Sequence, residues 1–149
     1  MLLDTNALLL PFSSGLDLAA EIARHRPDAR IAVPDAVRRE LVRLAARGNR
    51  WAEAGARLAD RYPVLDSPGR GDDAIVALAT RERATVVTGD RGLRDRLRAL
   101  GLRVLFPRGP RRLDEVAARR PAARAATVMS RPPLRRPSRA SRRSDARRR

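Results

Sequence analysis

The sequence predicts an α/β protein, with one domain built on a central, mostly parallel β-sheet flanked by helices. Short apolar segments typical of strands alternate with longer segments whose apolar side chains recur at helical spacing. The strand segments are too apolar to be half exposed, which indicates helices on both faces of the sheet. A length of 149 residues suits a single domain with a substantial core. Alternation of this kind is typical of right-handed βαβ units.

The predicted elements follow one another in regular order along residues 1–106. The predicted strands are residues 1–4, 30–33, 63–66, 84–88 and 102–106. The predicted helices are residues 15–25, 35–47, 50–62, 72–83 and 91–101. Asp35 has the side chain of an N-cap for the second helix, and Gly101 is suited to end the last one.

Positive charge is concentrated at the carboxyl end of the chain. All 33 basic residues of the Lys and Arg types are Arg; residues 1–106 hold 18 of them against 14 acids, whereas residues 107–149 hold 15 against three acids. After a short connecting segment, residues 107–118, the composition turns to Arg, Pro and Ser, so we expect residues 119–149 to form a disordered tail. A basic tail favours polyanionic partners, above all nucleic acid.

Absent residues and motifs exclude several kinds of protein. The chain has no Cys and therefore no disulfide, thiolate ligand or thiol nucleophile. No apolar run approaches the roughly 18–20 residues of a membrane span, and the amino terminus lacks the pattern of a signal peptide, so we expect a cytoplasmic protein with no membrane partner. The glycine-rich motifs of dinucleotide-binding and P-loop enzymes are absent. His25, the single histidine, lies among charged residues and is expected to be exposed and without a catalytic role.

Two acids come directly after apolar strand segments: Asp4 ends MLLD and Asp90 ends TVVTGD. In open α/β sheets, binding sites lie beyond the carboxyl ends of the strands, where the strand order reverses. Glu40 and Asp72 are expected at the same edge, since each lies beside an apolar stripe of its helix. Helical phase places Asp72, rather than its neighbour Asp73, near that stripe. Asp73 is expected to be mainly a first-turn acid favoured by the helix dipole.

Each of these acids, taken alone, is more simply interpreted as a helix cap or a turn residue. Four acids at one edge of a sheet are less simply explained as caps, because an acid near the core needs a metal, an Arg or a hydrogen-bond donor beside it. Carboxylates without His or Cys are ligands for hard cations such as Mg²⁺ or Mn²⁺. A site of this kind suits attack of metal-activated water on a phosphodiester.

Four segments in this order, LLDTNALL, VRREL, DDAIVALA and VVTGD, resemble the four acidic motifs of PIN-domain ribonucleases. The resemblance covers about residues 1–106. It is closest to small archaeal and bacterial PIN proteins, such as VapC-type toxins and the PIN domains of ribosomal RNA processing factors. It implies a single PIN-like domain, Mg²⁺ or Mn²⁺ at an acidic cluster, and endonucleolytic cleavage of RNA. By motif position, the catalytic and metal-binding quartet would be Asp4, Glu40, Asp72 and Asp90. Asn6 and Thr88 match polar positions that orient ligands or water, and Asp73 lies beside the quartet as a supporting residue.

Other functions fit the sequence less well. A haloacid-dehalogenase-type phosphatase needs a second acid two residues after Asp4, where this chain has Asn6. A response-regulator receiver domain needs paired acids near its first strand. The alternative is a PIN-like protein that binds RNA, or assists ribosome processing, without cutting; an acidic quartet counts against it because the quartet would repel phosphates. A toxin would imply a cognate antitoxin, and the resemblance also suggests a homodimer.

Overall fold

The computed structural model describes residues 1–119; residues 120–149, which hold nearly all of the predicted tail, lie outside the described part. The strands, in chain order, are β1 (Leu2–Leu3), β2 (Val33–Pro34), β3 (Val64–Leu65), β4 (Val86–Val87), β5 (Val104–Pro107) and β6 (Leu113–Val116). The helices are α1 (Thr5–Ser13), α2 (Leu18–His25), α3 (Asp35–Ala46), α4 (Ala52–Ala59), α5 (Gly71–Glu82) and α6 (Arg91–Ala99). The predicted α/β class is confirmed.

A four-stranded sheet has the order β1-β4-β5-β6, in which β1, β4 and β5 are parallel and β6 is antiparallel to β5. β2 and β3 pair in parallel as a second, two-stranded sheet. Backbone hydrogen bonds from Leu3 to Ala32 (3.1 Å) and from Ala32 to Met1 (2.9 Å) join the second sheet to β1. Across the joined sheets the order is β3-β2-β1-β4-β5-β6. The chain builds outward from β1 to one side and then to the other, which leaves a crevice beyond the carboxyl ends of β1 and β4.

The parallel strands form the centre of the core. All residues of β1 and β4 and the first two of β5 are buried, and they pack against fully buried helix residues, among them Leu8, Leu41, Ile75, Leu78, Leu93 and Leu97. Continuous burial explains why these strands are unbroken apolar runs instead of alternating patterns. Their ends are therefore rigid points from which side chains project into the crevice.

Two elements were not indicated by the sequence patterns. α1 contains the run ALLLP and carries Pro11 in its interior, so it has neither a polar face nor the usual composition of a helix. β6 lies within the predicted connecting segment 107–118, where Asp114 and Glu115 obscure its alternation. Among residues 1–119, β6 is an edge strand of its sheet, and charged side chains are common on edge strands. The chain thus has six strands among the described residues, one more than predicted.

The carboxylate of Asp35 does not cap α3, contrary to expectation. Pro34 occupies the N-cap position without a side-chain hydrogen bond, and Asp35 is the first residue of the helix. Its carboxylate instead accepts the backbone N–H of Ser67 (2.9 Å) and the Ser67 hydroxyl. Hydrogen bonding to Ser67 lowers the pKa of Asp35, although partial burial opposes the shift. Asp35 thus ties the start of α3 to the loop that leads into α5.

The end of α2 holds the start of β6 through the backbone of Leu113. The Leu113 N–H donates to the Glu21 carboxylate (2.8 Å), and its carbonyl lies 2.7 Å from both Arg24 Nη2 and His25 Nε2. His25 is therefore half-buried against β6, which corrects the expectation that it is exposed. Past β6, the backbone N–H of Arg119 donates to the carbonyl of Arg98 near the end of α6 (3.1 Å). No helix among residues 1–119 is both long and apolar enough to cross a membrane.

Candidate active site

Asp4 occupies the carboxyl end of β1, and its side chain is 6% exposed. The Asp4 backbone N–H donates to the carbonyl of Val87 at the end of β4 (3.1 Å), which fixes the two strand ends together. One carboxylate oxygen accepts the backbone N–H of Thr5 (2.6 Å), and the other accepts the hydroxyl of Thr88 (2.6 Å). Thr88 follows β4, so its hydrogen bond to Asp4 also links the two strand ends.

Burial raises the pKa of Asp4 to about 6. The hydrogen bonds from Thr88 and from the Thr5 backbone act in the opposite direction because they favour the charged form. The negative charges of Asp72 and Glu40, which line the same pocket, add smaller upward contributions. Asp4 is thus a buried carboxyl group whose charge is costly in the absence of a nearby cation.

Glu40, on α3, is joined to the same site by Thr5. The Thr5 hydroxyl donates to Glu40 Oε2 (2.7 Å), while the Thr5 backbone N–H serves Asp4. One residue therefore positions two of the predicted acids. Sequence reasoning did not assign a role to Thr5; its place between Asp4 and Asn6 in the DTN motif was the available signal.

Asp90 is both the N-cap of α6 and a member of the site. Its carboxylate accepts the backbone N–H of Leu93 (2.7 Å), and its own backbone N–H donates to the Thr88 hydroxyl (3.0 Å). The cap interpretation of Asp90 is therefore correct, and it does not exclude the site. Partial burial raises the pKa of Asp72, and the nearby negative charge of Asp90 raises it further.

An open pocket of about 250 Å³ lies at this edge of the sheet. The residues that line it are Asp4, Thr5, Asn6, Leu9, Glu40, Leu44, Asp72 and Asp90. The structure thus brings the four predicted acids together, with Asn6 beside them. Asp73 is not part of this lining: its side chain is 81% exposed and forms an ion pair with Arg96 (2.6 Å).

Gly89 sits between Thr88 and Asp90 and is in close contact with Asn6. A Cβ atom at position 89 would overlap the Asn6 side chain, lying 2.9 Å from Asn6 Cγ. A larger residue at position 89 would require the exposed Asn6 side chain to move from its present position. The TGD sequence therefore serves three purposes: Thr88 holds Asp4, Gly89 admits Asn6, and Asp90 lines the pocket.

The chemistry of the pocket fits a hard divalent cation. Its donors are four carboxylates, a hydroxyl and an amide, which are the oxygen ligands that Mg²⁺ and Mn²⁺ prefer. None of the four acids forms an ion pair with an Arg of the described residues. Within residues 1–119, no three acidic or His side chains are close enough to form a finished metal site. The donor types therefore fit a cation, whereas the carboxylates of residues 1–119 are more widely spaced than in a finished metal site.

The molecule is thus an open α/β protein with an acidic pocket at the point where its strand order reverses. Among residues 1–119, no Arg forms an ion pair with the four carboxylates of this pocket. Residues 1–110 match the model of the PIN-like domain, and the chain belongs to this family. The resemblance noted from the four acidic motifs is thereby confirmed.

A solved structure described as that of the PIN domain endonuclease Utp24 has the same fold. It superposes with a TM-score of 0.65 at 22% sequence identity, over 78% of this chain and 91% of the Utp24 chain. The similarity to Utp24 supports the fold assignment. No curated protein sequence matches the chain.

Proposed function

We propose that this protein is a divalent-metal-dependent endoribonuclease that hydrolyses RNA phosphodiester bonds. The observation that carries the proposal is the convergence of the acids of four separate segments on one pocket at the carboxyl edge of the sheet; they are Asp4, Glu40, Asp72 and Asp90. Membership of the PIN-like family and the fold shared with an endonuclease support the same conclusion. The absence of Cys suits the reducing conditions of the cytoplasm, where we propose that the enzyme acts.

The residues of the pocket have distinct tasks in this proposal. The four carboxylates would hold Mg²⁺ or Mn²⁺, which supplies an activated water molecule and neutralises charge that develops on the phosphate and the leaving oxygen. Thr5 and Thr88 fix the orientation of the Asp4 and Glu40 carboxylates through their hydroxyls. Asn6, held against Gly89, places an amide at the pocket wall, where it orients water or a phosphate oxygen.

A protein that binds RNA without cutting it is the alternative function. The unpaired acids argue against it, because a site that only binds RNA gains nothing from four negative charges where phosphates approach. The deciding experiment incubates the full chain with single-stranded RNA in Mg²⁺ or Mn²⁺, with excess EDTA as the control. Metal-dependent cleavage by the wild type and its loss in Asp4→Asn support the proposal. RNA binding without cleavage supports the alternative, and cleavage that persists in EDTA contradicts the metal-dependent mechanism.

Two biological roles follow from the proposed activity, and they differ in their partners. A VapC-type toxin would form a complex with a cognate antitoxin, whereas an RNA-processing nuclease would act without one. Co-expression with the product of the adjacent gene separates them: a complex that suppresses cleavage indicates the toxin. We also propose a homodimer, as the family resemblance suggests, and light scattering of the purified chain tests it.

A further inference from the structure

Arg96 brings a positive charge close to the acidic pocket. It projects from α6 and forms an ion pair with Asp73 at the start of α5 (2.6 Å). Asp73 follows Asp72, which lines the pocket. Arg96 also lies on the helix whose N-cap is Asp90, another residue of the pocket lining. Arg96 is thus held beside the pocket lining, at the rim of the site, by a residue adjacent to Asp72.

The guanidinium of Arg96 is available to a further partner. Among the described residues only its Nη2 makes a hydrogen bond, and 48% of its side chain is exposed. The Asp73 carboxylate is even more exposed, and an ion pair so open to water contributes little to stability. Arg96 can thus exchange its carboxylate partner, or share it, at small cost.

An RNA strand that enters the pocket needs such a charge. Its phosphates must approach four carboxylates that no Arg of residues 1–119 neutralises through an ion pair. A guanidinium has a planar fork of N–H donors that matches a phosphate in two parallel hydrogen bonds. A cation at the rim would therefore offset the repulsion between the RNA backbone and the acidic pocket.

We propose that Arg96 binds an RNA phosphate next to the one that is cleaved, and that Asp73 holds the guanidinium at the rim and competes with RNA for it. The proposal rests on the proposed ribonuclease function. In it, Arg96 is a substrate-binding residue that transfers no proton. Asp73 acquires a function of its own, which is separate from that of its neighbour Asp72.

Three variants of the full chain test the proposal by steady-state cleavage of a short single-stranded RNA. Arg96→Gln should raise KM by about fivefold and change kcat by less than about twofold, as expected when one charged interaction with the substrate is removed. Asp73→Asn should lower KM, because it removes the competing carboxylate. Arg57→Gln is the matched control: Arg57 forms an exposed ion pair with Glu53 on α4, away from the pocket, and its replacement should leave KM unchanged.

RNA with a single neutral methylphosphonate linkage, moved one position at a time, identifies the phosphate. At one position beside the cleavage site, the neutral linkage should raise KM of the wild type and leave KM of Arg96→Gln unchanged, since this variant no longer binds that phosphate. A second measurement does not depend on cleavage. In an Asp4→Asn background, Arg96→Gln should reduce the slope of log affinity against log salt by about 0.7, the value for one phosphate contact on a single strand.

The outcomes separate the two proposals. Arg96→Gln that behaves like Arg57→Gln overturns the role of Arg96 while the ribonuclease function stands. If Arg96→Gln and Asp73→Asn raise KM by the same factor, the ion pair acts only by supporting the structure. This result also overturns the proposed role of Arg96. Absence of cleavage by the wild type contradicts the proposed function, and the salt dependence of binding then still decides whether Arg96 contacts RNA.

Discussion

At the scale of single residues, Asp4 shows how the fold orients a buried carboxyl group that a cation could bind. Hydrogen bonds from Thr5 and Thr88 fix both of its oxygens, yet burial still raises its pKa to about 6. The protein therefore maintains a charge that is unfavourable in the metal-free state. A cation would supply the missing compensation, because it favours the charged form of every acid around it.

The stability of the metal-free protein should consequently depend on pH through Asp4. The folded pKa of about 6 lies above the ordinary value of 3.8, so the folded state binds the proton more tightly than the unfolded state. Stability should fall as pH rises from about 4 to about 6, by up to about 3 kcal/mol, and then level off. Asp4→Asn should lack this dependence and be at least as stable as the wild type above pH 6. Urea unfolding of both proteins in EDTA measures the difference; a parallel pH dependence in the variant would contradict the assignment.

Asp72 and Asp73 should differ sharply although they are neighbours in the sequence. Asp72 lines the pocket, whereas Asp73 points to solvent and Arg96. Asp72→Asn should reduce the cleavage rate by orders of magnitude. Asp73→Asn should keep kcat within about threefold and change stability by only a few tenths of a kcal/mol, the size of an exposed first-turn effect. Single-turnover cleavage and thermal unfolding of the two variants, side by side, decide the matter. If only Asp73→Asn loses activity, the assignment of Asp72 to the site is wrong and the site includes Asp73 instead.

At the scale of elements, the helices and strands that could be predicted were those whose sequence pattern follows directly from burial. The buried strands and most helices were predicted to within a few residues because burial imposes apolar runs or helical spacing. α1 was not, since its buried position replaces a polar face by an apolar run and its interior contains Pro11. β6 depends on pairing with β5 in an antiparallel hairpin, which its own four residues do not reveal. The site acids were predictable because they follow strand ends or lie beside apolar helix stripes, whereas the role of Thr5 requires knowing where Glu40 lies.

A side chain at position 89, in the turn between β4 and α6, should displace the Asn6 amide. Gly89→Ala places a Cβ where the Asn6 amide now lies, so Asn6 must move out of the pocket wall. Activity should fall to that of Asn6→Ala, and the double variant Asn6→Ala/Gly89→Ala should be no worse than either single variant. Cleavage rates of the three proteins test this coupling. Additive losses would mean that Gly89 acts on the site by another route.

β6 should be loosened by a change on α2. Glu21 accepts hydrogen bonds from Arg24 and from the Leu113 N–H, which together lower its pKa to about 2. Its contribution to stability is therefore present above about pH 4.5 and is lost as pH falls towards 2. Glu21→Gln should speed hydrogen exchange in β5 and β6 at neutral pH, and the difference from wild type should shrink in acid. Glu53→Gln, which breaks an exposed pair on α4, is the control and should leave this exchange unchanged.

At the scale of the whole molecule, the role of the basic carboxyl end is predicted from the sequence alone, since residues 120–149 lie outside the part of the chain that the structure describes. They hold 11 Arg and one acid. We expect them to add affinity for RNA without sequence preference, because Arg–phosphate contacts release counterions. Deleting residues 120–149 should weaken RNA binding and reduce its salt dependence by about 0.7 in slope for each phosphate that the tail binds. Binding measured at two salt concentrations tests this, and an unchanged affinity and slope would leave the tail without the role.

The antiparallel course of β6 determines where that basic segment is tethered. β6 runs from the carboxyl end of β5 back to its beginning, and Arg119 is held at the end of α6 furthest from Asp90. α6 has nine residues, so the tether lies about 13 Å along the helix axis from the pocket rim. RNA that is bound by the tail would therefore bind the pocket in a second, intramolecular step. The effective concentration of RNA at the pocket then depends on the length of RNA between the two attachment points.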